Sequence, residues 1–142
     1  MSDINIFHIL IGSGTKPLAE YSPFQTELIK ECEKQLSHCT QGSSAITKTD
    51  YKIYYLNENN ITYMIMTNTN YPMPAAVACL ESMKKEYGNI LNGRNFSKLN
   101  NYGLNSEFKE KLKMKYEYYN ENTDIVDEEL EKLKDGLRKK RD

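Results

Sequence analysis

Three short strand-like segments in the middle of the chain, each closely followed by the next, most constrain its fold. They are Ser44 to Thr49, Tyr51 to Leu56 and Ile61 to Thr67. Asn57 to Asn60 is typical of a tight turn, because asparagine tolerates left-handed backbone conformations. Parallel neighbours would need a crossover of about a dozen residues, so an antiparallel meander is predicted. Both faces of the last two segments carry apolar or aromatic groups, so we expect helices on both sides.

A second antiparallel pair is predicted at the start of the chain. Ile4 to Ile11 is a β-branched run typical of an interior strand. Gly12 to Thr15 supplies turn residues, and Leu18 to Tyr21 completes a hairpin. Glycines after a strand also begin phosphate-binding loops, but those loops lead into a helix N-terminus, whereas a strand follows here.

The first helix is predicted to begin at Ser22-Pro23-Phe24-Gln25, where Ser22 and Gln25 form a capping box. Its apolar positions recur at helical spacing: Leu28, Ile29, Cys32 and Leu36. Gln41-Gly42-Ser43 is expected to end this region. The charged residues between the apolar positions make the helix amphipathic, so it should pack on the sheet.

Two more helices are predicted in the second half. One follows Tyr71 to Pro74 and ends at Gly88, interpreted as a left-handed cap. The other begins near Asn105 and has an apolar face of Leu104, Phe108 and Leu112, continued by Tyr116 and Tyr119. The polar stretch between them, Asn89 to Gly103, is either mobile or held down by its apolar residues, Phe96, Leu99 and Tyr102.

This order predicts an α+β fold with a mostly antiparallel sheet and helices on both faces. The chain has 142 residues, which is enough for a single core. A last segment, after Asn120 to Thr123, carries a heptad seam of Val126, Leu130, Leu133 and Leu137 in a charged background. We interpret 1–120 as the folded domain and 121–142 as a linker and the start of a heptad helix.

Composition excludes several functional classes. The net charge is −1, so a surface devoted to nucleic acid or anionic lipid is not expected. The apolar runs are too short to span a bilayer. His8 is interpreted as a packed side chain and His38 as a surface one, because neither has a ligand-like neighbour in sequence. The sequence thus predicts no catalytic, metal or cofactor site and no enzyme.

The cysteines indicate the compartment. Cys32, Cys39 and Cys79 cannot all pair with one another, and no secretory leader precedes the first strand. Free thiols in a reducing compartment, by default the cytosol, are therefore expected.

Several segments together resemble a longin domain. They are Leu18 to Ser22, Tyr51 to Leu56, Ile61 to Thr67, and Tyr71-Pro72 leading into the helix that ends with Lys84 to Gly88. Asn105 to Phe108 resembles the start of the third helix in synaptobrevin-like R-SNAREs, and Val126 to Leu137 resembles the opening of their SNARE motif. The resemblance implies a profilin-like fold, with a five-stranded antiparallel sheet, the first helix on one face and the other two on the opposite face.

The resemblance also implies a function. Longin R-SNAREs sit on the cytosolic face of transport vesicles, where the longin domain binds its own SNARE motif or a trafficking adaptor in an apolar groove. Here that groove would lie between the first helix and the third strand and would involve Leu28, Ile29, Cys32, Ser44 and Ile46. Docking there would control entry into the fusion complex.

The sequence departs from the family pattern at its C-terminal end. The sequence stops before the family's central-layer arginine and before any membrane anchor, so membrane attachment is expected only through a C-terminal anchor absent from this chain. The competing hypothesis is a longin-like adaptor or assembly subunit without SNARE activity, in which the last segment merely extends the scaffold.

Overall fold

The protein folds around one five-stranded antiparallel sheet in a computed structural model that describes residues 5–23 and 27–123. The strands are β1 (Ile6–Ser13), β2 (Lys16–Tyr21), β3 (Gly42–Thr47), β4 (Lys52–Glu58) and β5 (Ile61–Thr67), in the spatial order β2-β1-β5-β4-β3. The helices are α1 (Leu28–Gln35), a 3-10 turn (Leu36–His38), α2 (Met73–Leu91) and α3 (Asn105–Glu121). The predicted α+β class and antiparallel sheet are confirmed.

Both predicted hairpins are present. Gly14, in the β1–β2 turn, has a φ of 58°, which glycine adopts without a steric penalty. Asn59 and Asn60 join β4 to β5 with φ values of 56° and 65°. Two successive left-handed residues match the twist of the flanking strands, which explains why asparagines occupy this turn.

Strand alternation separates the apolar residues into two cores. On β4, Ile53 and Tyr55 join the α1-side core, whereas Tyr54 and Leu56 join the core formed with α2 and α3. The α1-side core consists of Leu10, Cys32, Leu36, Ile53, Tyr55, Met64 and Met66. The larger core includes the predicted α2 and α3 positions Ala76, Leu80, Met83, Tyr87, Phe108 and Leu112. The sheet is therefore covered on both faces.

The predicted end of the second helix at Gly88 is wrong. α2 continues to Leu91, and the backbone N–H of Asn92 donates to the carbonyl of Gly88 at 2.8 Å. Leu91 is buried and extends the apolar face by one turn, so burial outweighs the low helix propensity of glycine. The left-handed residue after this helix is Gly93, with a φ of 79°.

The start of α1 and the break after it also differ from expectation. The hydroxyl of Ser22 donates to the carbonyl of Phe7 at 2.9 Å, and the described part of α1 begins at Leu28. Gln25, the other half of the predicted capping box, lies outside the described residues. Gly42 and Ser43, expected in the break, are the first residues of β3, because Gly42 pairs with Asn57 and Ser43 with Leu56.

The stretch before α3 is held down rather than loose. Phe96 is buried, Leu99 packs against the larger core, and the ammonium of Lys16 donates to three carbonyls of this stretch. Those bonds are to Phe96 at 2.8 Å, Ser97 at 3.3 Å and Leu99 at 2.7 Å. Of the two alternatives for this region, the second is confirmed.

The heptad seam of Val126, Leu130, Leu133 and Leu137 lies outside the described residues. In the described part of the chain, no helix combines the length and the apolar composition that crossing a bilayer requires.

Candidate docking surface at the open edge of the sheet

The two outer strands of the sheet differ in what covers them. The outer edge of β2 is hydrogen-bonded by the segment that leads into α3. The pairs are Tyr102 N–H to Pro17 O at 2.8 Å, Leu104 N–H to Leu18 O at 2.9 Å, and Glu20 N–H to Asn105 Oδ1 at 2.8 Å. This edge is therefore closed to another strand.

β3 forms the other edge and pairs with β4 alone. Within the described ranges 5–23 and 27–123, no backbone group hydrogen-bonds its outer side. All its residues are exposed except Ile46, which is half-buried. A free edge presents a row of N–H and C=O groups that an extended peptide can extend as an added strand.

Two of the predicted site residues lie together at this edge. Ile46 pairs with Ile53, and Ser44 pairs with Tyr55. Because Ile53 and Tyr55 belong to the α1-side core, both predicted residues are on the α1 side of the sheet. Ile46 packs against that core, whereas Ser44 is exposed.

Of the three predicted helix residues, Cys32 and Ile29 do not add exposed surface beside them. Cys32 is only 1% exposed and belongs to the α1-side core, so it has no surface to offer a partner. Ile29 is half-buried and lines a cavity with Tyr21 and Asn105, which places it toward the β2 edge, away from β3. Leu28 is the first residue of α1, and its side chain lies outside the described part.

Two residues that were not predicted pack against the same core as Ile46. Tyr51 and Cys39 are half-buried and pack against the α1-side core. Burial raises the pKa of Tyr51, and the carboxylate of Glu31 on α1 adds to the shift, so this ring lies within electrostatic reach of α1. The alternation of Tyr51, Ile53 and Tyr55 carries a signal for Tyr51, whereas no sequence pattern marks Cys39.

Another group of polar side chains links β1 to β2 and α1 to the segment before α3. His8 is buried, and its Nε2 is 2.7 Å from Oε2 of Glu20. The other ring nitrogen, Nδ1, is buried without a partner among the described residues. The hydroxyl of Tyr102 donates to the carboxylate of Glu33, which ties α1 to the segment before α3. Burial, followed by Glu33, raises the pKa of Tyr102.

The burial of His8 and the exposure of His38 are as predicted, but Glu20 was missed as the partner of His8. The two residues are twelve positions apart, and only the β1–β2 pairing brings them together. Burial, and then the charge of Glu20, raise the pKa of the nearby Cys32 thiol, which opposes formation of a thiolate.

The cysteines carry free thiols, as predicted. Burial raises the pKa of Cys39 to about 11 and that of Cys79 to about 12. Among the described residues, no group of three or more His, Cys, Asp or Glu side chains is placed to hold a metal ion.

The chain matches a model of a known protein family. The family model described as the longin, regulated-SNARE-like domain matches residues 18–112, from β2 into α3. No curated protein matches the sequence. The family match covers well over half of the chain and most of the sheet and helices described above. The chain therefore belongs to the longin family, whose members are non-enzymatic regulatory domains of membrane trafficking.

Proposed function

We propose that this chain is the regulatory longin domain of a vesicle R-SNARE, acting on the cytosolic face of endomembranes in vesicle transport and fusion. Its partner would be a SNARE motif, its own or another protein's, or a trafficking adaptor. The open edge of β3 beside Ile46 carries the proposal. The family match and the heptad seam at Val126 to Leu137 support it.

The β3 edge combines two sources of binding energy. Backbone groups of an added strand would hydrogen-bond β3, while apolar side chains of the partner would cover Ile46, Tyr51 and Cys39. Full burial of one aliphatic side chain contributes about 1.5 to 3 kcal/mol, which is more than one exposed backbone hydrogen bond supplies. Ile46 is already half-buried, so covering the rest of it would supply part of that amount, in addition to the backbone hydrogen bonds of the added strand.

The second candidate function is a longin-like adaptor or assembly subunit. The extent of the family match favours it, because residues 18–112 end before the heptad seam and the match is therefore independent of any SNARE motif. The same edge would then bind an extended segment of another trafficking protein.

The test is titration calorimetry of the full chain with a synthetic peptide that carries the SNARE motif of a synaptobrevin-like R-SNARE. Ile46→Asp should weaken binding by at least about tenfold, since a charge replaces an apolar contact. Ala45→Asp is the matched control, because Ala45 is an exposed neighbour on the other face of β3, opposite Tyr54 of the larger core. This control should bind as the wild type does.

Ser44→Val tests the same surface through a gain of affinity, and damage to the fold could not produce such a gain. Ser44 is exposed on the Ile46 side, so valine there should tighten binding a few-fold by adding apolar contact. Unaltered binding by Ile46→Asp, with unchanged circular dichroism, would reject this surface. A wild-type chain that does not bind the SNARE peptide but does bind adaptor segments would select the second candidate.

A further inference from the structure

A polar cavity of about 420 Å³ lies at one end of the sheet, where the β1–β2 and β4–β5 turns meet the segment after α2. Its volume falls within the range of roughly 300 to 1,000 Å³ that is typical of small-molecule sites. The described lining contains two cationic side chains, two hydroxyls and two side-chain amides but no carboxylate: Lys16, Arg94, Ser13, Ser97, Asn60 and Asn95. This composition favours a small anion as the ligand.

The ammonium of Lys16 brings a positive charge into the cavity. It is partly buried and donates to the carbonyls of Phe96 and Leu99 at 2.8 and 2.7 Å and to that of Ser97 at 3.3 Å. These carbonyls hold the ammonium in place, but they carry no formal charge, and Lys16 forms no ion pair with any described residue. Because water screens a partly buried charge less well, an anion beside it is stabilised. The long bond to Ser97 is the one that an anion could most easily replace.

The guanidinium of Arg94 has donors to spare. Its Nη1 donates to Oε2 of Glu107 at 2.9 Å, and its Cζ lies 5.9 Å from the ring centroid of Phe96. In the part of the chain that the structure describes, its other two nitrogens have no acceptor. The pair with Glu107 is exposed to water, so it contributes little and would not prevent Arg94 from binding a second anion. A planar guanidinium matches two oxygens of a phosphate group.

The neutral residues of the cavity also offer donors. Oγ of Ser13 accepts from Nδ2 of Asn60 at 3.3 Å, and Oδ1 of Asn95 accepts from the backbone N–H of Ser97 at 2.9 Å. These two oxygens are therefore already engaged as acceptors. The hydroxyl protons of Ser13 and Ser97 and the amide protons of Asn95 have no acceptor among residues 5–23 and 27–123. A ligand in the cavity thus meets mainly hydrogen-bond donors, which suits a group with several oxygens.

This arrangement is not a nucleotide-type phosphate-binding loop. The turn from Gly12 to Thr15 leads into β2, whereas such a loop leads into a helix N-terminus. The donors here are side chains from separate parts of the sequence, and only the fold brings Ser13, Asn60 and Arg94 together. No local motif could therefore have indicated this cavity.

We propose that the cavity binds a phosphate monoester, carried either by a soluble metabolite or by a lipid headgroup. Arg94 would bind two phosphate oxygens, Lys16 would balance the negative charge, and the hydroxyls of Ser13 and Ser97 would donate to the remaining oxygens. This goes beyond the proposed function, because it assigns a ligand and a set of residues distinct from the β3 edge. A lipid headgroup bound here would hold the domain against a membrane surface.

Titration of the full 142-residue chain with inositol trisphosphate tests the proposal, with affinity measured by calorimetry and the site located by shifts of backbone amide signals. The signals of Ser13 and of residues 94–97 should shift most. Arg94→Gln should weaken binding by at least about tenfold, since a bidentate charged contact is lost. Glu107→Gln is the matched control, because it removes the same ion pair and keeps the guanidinium. It should bind at least as tightly as the wild type.

Asn95→Asp tests the charge requirement without changing the size of the side chain. Aspartate can still accept from the backbone N–H of Ser97, so the local turn is kept while a negative charge enters the cavity. Binding should weaken by at least about threefold through repulsion of the anion. Gln41→Glu makes the same change of net charge at an exposed position that does not line the cavity, and it should bind as the wild type does.

Phosphatidylcholine vesicles with and without phosphatidylinositol phosphate separate the two sources of the phosphate. Vesicle binding that requires the phosphoinositide and is lost in Arg94→Gln supports the proposal with a lipid headgroup as the source. Binding of inositol trisphosphate without vesicle binding supports it with a soluble ligand. Absence of both overturns it. Unaltered binding by Arg94→Gln, or equal weakening by Asn95→Asp and Gln41→Glu, also overturns it, since the ligand would then respond only to the overall charge of the protein.

Discussion

Gly12 lies at a close approach between the first hairpin and the 3-10 turn after α1. A Cβ on Gly12 would be 2.8 Å from Cδ2 of Leu36 and 3.2 Å from the carbonyl oxygen of Lys16. The contact at Gly88 is looser, because a Cβ there would meet only the hydroxyl of Tyr63 at 3.6 Å. A Cβ would therefore clash at Gly12 and be accommodated at Gly88.

Alanine substitutions should have opposite signs at these two positions. Gly12→Ala should lower the free energy of unfolding by about 1 to 3 kcal/mol through overpacking. Gly88→Ala should raise it by about 0.5 to 1 kcal/mol, because alanine is the better helix former inside α2. Urea unfolding of both variants measures this, and destabilisation by Gly88→Ala would contradict the helical placement of that residue.

Because of Cys79, the stability of the fold should decrease as the pH rises above 9. It is fully buried in the larger core, and burial raises the pKa of its thiol from 9.0 to about 12. Above pH 9 the unfolded chain loses this proton while the folded chain retains it. The unfolded state is then favoured, so stability falls by about 1.4 kcal/mol per pH unit between pH 9 and 12.

The contribution of this thiol is isolated by comparing wild type with Cys79→Ala at pH 8 and at pH 10.5. The variant is less stable at pH 8, since it leaves a cavity. Its loss of stability between the two pH values should be smaller by about 2 kcal/mol. Equal losses in the two proteins would show that Cys79 does not retain its proton in the folded state.

At the scale of elements, the stretch between α2 and α3 depends on one distant side chain. Lys16, the first residue of β2, donates to three carbonyls in the stretch from Phe96 to Leu99. The apolar residues Phe96 and Leu99 could be singled out in the sequence because they interrupt a polar run. Lys16 could not, because it lies about eighty positions away and looks like any strand lysine.

Removing the ammonium should loosen this stretch without unfolding the sheet. Lys16→Met should speed amide exchange at Leu99 and Gly103, and lower stability by about 1 to 2 kcal/mol, since three charge-assisted bonds are lost at a partly exposed site. Lys98→Met is the control, because Lys98 is an exposed lysine of the same stretch. Equal effects of the two variants would show that Lys16 is not the anchor.

Helix positions were predictable where periodicity and burial agree. Phe108 and Leu112 recur on one face of α3 and are buried. The end of α2 could not be predicted from Gly88, because the burial of Leu91 outweighs the low helix propensity of glycine. Local sequence thus located the elements, while tertiary contacts fixed their ends.

For the whole molecule, the sheet and its two cores follow from short connections and strand alternation. Only part of the candidate site could be predicted from the sequence. The family resemblance assigned Ile46 of the third strand and Ile29 and Cys32 of the first helix to one groove, and helical spacing put both helix residues on the apolar side of α1. Spacing shows which side of α1 is apolar, and it does not show which edge of the sheet that side approaches. That depends on the strand order, in which β2 and β3 are the two outer strands.

The unequal edges also limit how copies of this domain can associate. A fibre built by joining sheets edge to edge needs two free sheet edges on every molecule. The segment before α3 occupies the β2 side, which leaves β3 as the place where sheets can join. Two copies that pair there across a two-fold axis use the free β3 edge of both molecules, so no free edge remains for a third copy. Self-association through the sheet would thus end in a closed pair instead of a fibre.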